Sequence, residues 1–98
     1  MPSYVLLTKL PASLFQRGGE FREAAKRVAD RIKAEFPGVK WVSSYAVLGP
    51  YDLVDVFEAP DNETASRVAL VIRAESGAET STMAAVPWDE FLKQVGSG

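Results

Sequence analysis

The chain has 98 residues, a net charge of -2 and 47% apolar residues. That is enough for one small domain with a real core and not for two, and it argues against global disorder. It contains no cysteine and no histidine, which excludes disulfides, thiolate nucleophiles and zinc–thiolate sites, and removes the commonest general base and metal ligand.

Acids and bases are interspersed, without a basic stripe carrying aromatics, so nucleic acid is not an expected partner. No apolar run approaches the roughly 20 residues that span a bilayer. The start "MPSYVLLTKLP" lacks the charged head, long apolar centre and cleavage site of a signal peptide. The expectation is a cytoplasmic protein that needs no metal and no cofactor.

In chain order, Tyr4 to Leu10 is apolar and β-forming, and Pro11 ends it, giving a first strand. "PASLFQRGGE" reads as a loop with at most one helical turn, because Gly18-Gly19 interrupts regular structure. "EFREAAKRVADRIKAEFPG" places Phe21, Ala25, Val28 and Ile32 on one helical stripe, and Pro37-Gly38 stops it. "VKWVSSYAVL" is a second strand, with Trp41, Ser43 and Tyr45 on one face and Val42, Ser44 and Ala46 on the other.

"GPYD" is a tight turn, and "DLVDVFEA" is a third strand paired antiparallel to the second. "PDNETASRVALVIRAESG" is a second helix, capped by Asp61 or Asn62, with Ala65, Val68, Ala69 and Ile72 buried and Gly77 after its last turn. "AETSTMAAV" is a fourth strand. "PWDEFLKQV" is a short last helix that begins near Pro87 and carries Trp88, Phe91, Leu92 and Val95. The domain is expected over 1–95, with 96–98 as a flexible tail.

The order β-α-β-β-α-β, plus a terminal helix, predicts an α+β ferredoxin-like sandwich: a four-stranded antiparallel sheet with two helices on one face. The strands carry apolar residues on both faces, so the uncovered face calls for a partner. The simplest partner is a second copy, giving a homodimer or higher homo-oligomer of the dimeric α+β barrel type.

At "LGPYDLVDVFEAPDNETA" the chain resembles the GYD domain family, named for a Gly-Tyr-Asp tripeptide followed by a strand and an "EAPD" helix start. "YVLLTKL" and "T-x-T-M-x-A" extend the resemblance over about Pro2 to Phe91. Here Pro50 interrupts the tripeptide, as Gly49, Pro50, Tyr51 and Asp52, which changes the turn. The resemblance implies the fold and the dimeric α+β barrel assembly, and it names no substrate.

The candidate site centres on two acids. Asp52 opens the third strand, where its carboxylate either accepts backbone N–H bonds of the turn or stands at the mouth of a cavity. Asp55 shares a face with Leu53 and Phe57. A carboxylate there either pairs with Lys9, Arg17 or a partner subunit, or is a pocket acid with a raised pKa. Because they are three residues apart on a strand, the two acids point to opposite faces and cannot chelate one ion.

Tyr45 and Tyr51 flank the turn and supply packing and hydroxyls. Tyr4, Thr8, Thr80 and Thr82 line the same cavity if the register brings them there, and Phe15 and Arg17 stand in a loop able to close over it. A slip of one residue reverses every inside–outside assignment. No nucleophile–base pair can be assembled. The residues support a homo-oligomer that binds a small molecule. A cofactor-free enzyme of the monooxygenase or isomerase type, with Asp55 as base, and a regulatory or assembly module without a ligand are the alternatives.

Overall fold

The computed structural model describes residues 1–96, and Ser97 and Gly98 of the expected tail lie outside them. Strand β1 (Ser3–Lys9) leads through a four-residue helix α1 (Ala12–Phe15) into α2 (Gly18–Glu35). Strands β2 (Lys40–Ala46) and β3 (Leu53–Glu58) form a hairpin, followed by α3 (Asn62–Ser76), β4 (Glu79–Ala85) and α4 (Trp88–Gly96). The sheet order is β2-β3-β1-β4 and every pair is antiparallel. This is the ferredoxin-like arrangement expected from the order of the elements.

The ends of α3 are written in its sequence. The Asp61 carboxylate accepts the Thr64 N–H at 2.8 Å, capping the first turn. Gly77 ends the helix at φ 71°, a left-handed conformation that side chains avoid. Ala65, Val68, Ala69 and Ile72 are buried as their spacing requires, joined by Val71.

Helix α2 departs from expectation in two ways. Gly18 and Gly19 form its first turn instead of a loop, and the N–H groups of Glu20 and Phe21 both reach the Arg17 carbonyl, at 3.0 and 3.3 Å. The glycine penalty of about 1 kcal/mol per residue is opposed there by Phe21, whose ring stacks on Phe15 at 5.8 Å. The buried alanine of the stripe is Ala24 and not Ala25, so the inward row is Phe21, Ala24, Val28 and Ile32.

The larger departure is in β2. A β-bulge between Trp41 and Ser43 sets Trp41 opposite Phe57 but Ser44 opposite Asp55 and Tyr45 opposite Val54. The extra residue shifts the alternation by one. Trp41 and Ser44 therefore share the helix-covered face, while Ser43 and Tyr45 turn to the other, and Trp41 and Tyr45 are not companions.

The covered face carries Tyr4, Leu6 and Thr8 of β1 and Leu53, Asp55 and Phe57 of β3. Phe57 is fully buried, with its ring stacked on Tyr4 at 5.6 Å and on Trp41 at 5.0 Å. The opposite face presents Val5, Leu7, Val54 and Val56, half-buried, with Tyr45 and Met83 exposed. The core cluster, built on Tyr4, Leu6, Phe57 and α3, lies on the covered side. No helix among the described residues is long and apolar enough to cross a membrane.

Candidate functional site

Between α2, α3 and the covered face of β1, β3 and β2 lies a cavity of about 500 Å³. Its walls are hydrocarbon, from Leu10, Leu14, Phe21, Val28, Ile32 and Leu53. Its polar floor is set by the sheet: Thr8 from β1, Asp55 from β3 and Ser44 from β2. Size and lining are those of a small-molecule pocket, apolar with a few convergent polar groups.

The floor is a short hydrogen-bond chain. The Trp41 indole Nε1–H donates to Ser44 Oγ at 2.8 Å, and the Ser44 hydroxyl donates to Asp55 Oδ1 at 2.5 Å. Asp55 is 8% exposed, and among the described residues it has no basic partner. Burial raises its pKa above the ordinary carboxylate value, opposed by the hydrogen bonds from Ser44 and then Trp41. Thr8 is fully buried, and its Oγ1 has no hydrogen-bond partner.

The structure brings Asp55 and Thr8 into one cavity lining, which also includes Tyr45 of the edge strand although its register turns it toward the open face. It does not bring the remaining candidates there. Tyr4 is buried in the core, where its hydroxyl donates to Asn62 Oδ1 at 2.7 Å at the start of α3. Tyr51 stands half-buried in the hairpin turn, outside the lining. Arg17 pairs with Glu20 at 3.1 Å on the surface. Lys9, in register with Glu79, alternates to the open face, so neither Lys9 nor Arg17 neutralises Asp55.

Asp52 performs turn chemistry. Its Oδ2 accepts the Leu10 N–H at 2.8 Å, and its own N–H donates to the Thr8 carbonyl at 2.9 Å. The residue clasps the hairpin to the end of β1, one step from the cavity floor. Gly49 reaches the turn at φ 127°, where a side chain would be strained. Asp52→Ala is expected to cost about 1–3 kcal/mol, the penalty of stranding a part-buried N–H. Urea denaturation measures it, and a loss below a few tenths would deny the clasp.

Ser44 escaped the sequence reading as a site residue, and Trp41, expected in a dimer core rather than as a stacking platform, stands instead on the covered face against Phe57. Strict alternation puts Ser44 on the wrong face, and only the bulge returns it to Asp55. The pair "SS" between Trp41 and Tyr45 was the available signal, since small polar residues fit irregular strand positions.

The geometry defines a ferredoxin-like α+β domain with an apolar cavity over one buried acid. The GYD domain model matches residues 4–95, and the chain belongs to the GYD domain family. It is 36% identical over 95 residues, spanning 97% of this chain and 99% of the relative, to a Thermus thermophilus protein described as a glutamine synthetase and cystathionine beta-lyase binding protein. A crystal structure of a protein from Thermus thermophilus superposes with TM-score 0.57 at 27% identity, covering 88% of this chain and 94% of that one. A de novo designed protein with a ferredoxin fold superposes with TM-score 0.52 at 9% identity, covering 89% and 86%, and bears on the fold alone.

Proposed function

We propose that this protein is a small cytoplasmic ligand-binding protein that self-associates through its open sheet face and acts by docking on a larger protein. The cavity over Asp55 carries the ligand part of this reading: a 500 Å³ apolar space with an acid that has no cation beside it. Burying a carboxylate without a counter-charge costs free energy that a purely structural floor has no reason to retain.

Self-association is supported by the row of Val5, Leu7, Val54 and Val56 on a face without a helix, and by α4, whose Trp88 is 68% exposed. Large apolar surface of this kind marks an interaction site. Docking on an enzyme is supported by the description of the Thermus thermophilus relative as a binding protein for two enzymes. That description also favours a second reading, an assembly module in which the cavity has no occupant.

Native mass spectrometry on protein purified from its own host separates them. An oligomer that retains a reproducible small mass is the expected result. An oligomer with nothing bound, whose melting temperature responds to no small molecule, would leave the assembly module standing and remove the ligand. A monomer at tens of micromolar would remove self-association.

A further inference from the structure

We propose that the cavity takes an amphipathic monocation, a hydrocarbon or aryl body with one ammonium group, with the ammonium seated on Asp55 and Thr8. This rests on the ligand-binding reading above and specifies the chemistry of its ligand.

The polar capacity left open on the cavity floor is chiefly for acceptance, the Thr8 hydroxyl being the one group there that also holds an unspent proton. A carboxylate offers about four lone-pair sites, and Ser44 and Trp41 use at most two of those on Asp55. Thr8 Oγ1, fully buried and unbonded, lies on the adjacent strand, diagonally across from Asp55 in the β1–β3 register. Ser44 spends its proton on Asp55 and accepts from Trp41, and Ser76, across the cavity on α3, spends its own on the Ile72 carbonyl at 2.5 Å. What such a floor lacks is a group with several N–H donors and a positive charge. An ammonium supplies three donors and neutralises the one buried charge among the described residues, and charge-assisted bonds of this type are about twice as strong as neutral ones.

The remaining lining limits the ligand to one charge. From α2 the charged residue at the cavity is Lys33, exposed on the helix surface. β1 contributes Thr8, the segment after it Leu10, and α3 contributes Ile72 and Ser76, none of them ionised. A second ammonium would meet hydrocarbon inside or Lys33 outside, so diamines and polyamines do not fit. A carboxylic acid would set two carboxyl groups in one apolar space. A neutral alcohol gives Asp55 one donor but leaves its charge unpaired.

The test is calorimetric titration of the full chain at neutral pH with three aryl probes of matched length: phenethylamine, 2-phenylethanol and 3-phenylpropanoate. The amine should bind about tenfold tighter than the alcohol or better, and the acid weakest. Asp55→Asn keeps an acceptor for the Ser44 hydroxyl, and should bring the amine down to the alcohol, whose single bond to this residue makes it lose less than the amine does. Thr8→Val should weaken the amine severalfold. The advantage of the amine should shrink as pH falls through the raised titration range of Asp55, because a proton then competes for the carboxylate. Equal affinity for amine and alcohol, indifferent to Asp55→Asn, would overturn the monocation and keep the pocket. Tightest binding of the acid would also overturn it. Binding of none of the three would overturn the pocket itself.

Discussion

Phe57→Ala is expected to lower the free energy of unfolding by about 3–5 kcal/mol, the range for deleting a buried phenylalanine. Phe57 is fully buried at the centre of the covered face. Its ring is held between two others, Tyr4 from β1 and Trp41 from β2, which are in register with it on either side. Neither neighbour can collapse into the space freely. Tyr4 is tied by its hydroxyl to Asn62, and Trp41 by its indole N–H to Ser44. The removed volume therefore stays largely empty, which puts the cost in the upper part of the range. A domain of this size has only about 5–15 kcal/mol in all, so the variant should be marginally folded at room temperature.

Guanidinium or urea denaturation of the two proteins gives the difference directly. The change should appear in the midpoint with an unchanged slope, since the surface exposed on unfolding is nearly the same. A loss below about 1.5 kcal/mol would mean that the site relaxes and that the three-ring stack is not the centre of the core. The same substitution reaches the candidate site. Trp41 loses the ring that orients it, and with it Ser44 loses a donor. Phe57→Leu, which keeps most of the volume, should restore stability more than it restores the Trp41 position.

The elements were legible because local chemistry and long-range packing agree in them. Asp61, Gly77 and the Ala65–Val68–Ala69–Ile72 spacing each require the same helix. The face of Asp55 could be read because β3 is regular, so alternation from Leu53 to Phe57 holds. The faces of β2 could not be read, because one extra residue between Trp41 and Ser43 inverts everything on one side of it. The "SS" pair marks a stretch that tolerates irregularity, but nothing in "KWVSSYA" fixes which residue is extra. That is settled by Phe57 and Asp55 on the neighbouring strand, which take the indole and the serine. The turn of Gly49 to Asp52 was legible in kind, yet the bond from Leu10 to Asp52 joins residues 42 apart in sequence, and no local pattern encodes it. Arg17 was drawn into the site by a Gly-Gly pair that reads as a flexible loop, whereas stacking of Phe15 on Phe21 makes that stretch helical.

Under the self-association proposed above, Val56→Lys is expected to convert the assembly to a folded monomer. Val56 faces away from the core, in register with Val5 on one side and Ser43 on the other. In an isolated chain a lysine at this half-buried position carries its ammonium to water on a long stem, so the fold should lose about 1 kcal/mol or less. In a two-fold assembly through this face the substitution occurs twice, near the centre of a shared apolar layer. Each ammonium would lose water without gaining a carboxylate, because the acid that follows it on the same face of β3 is Glu58, which already approaches Lys40 at 3.9 Å. A penalty of several kcal/mol per buried ion exceeds what an apolar contact of ordinary size leaves in surplus. Sedimentation velocity at tens of micromolar reads the mass, and thermal denaturation reads the fold. Monomer that keeps a cooperative melting curve supports the sheet face as the interface. Monomer that has also lost its fold would mean that the domain cannot stand without its partner. An oligomer that survives Val56→Lys would move the interface elsewhere. Trp88, Phe91 and Val95 on α4 are then the next surface to charge, since together they form a second apolar group that the described chain leaves in water.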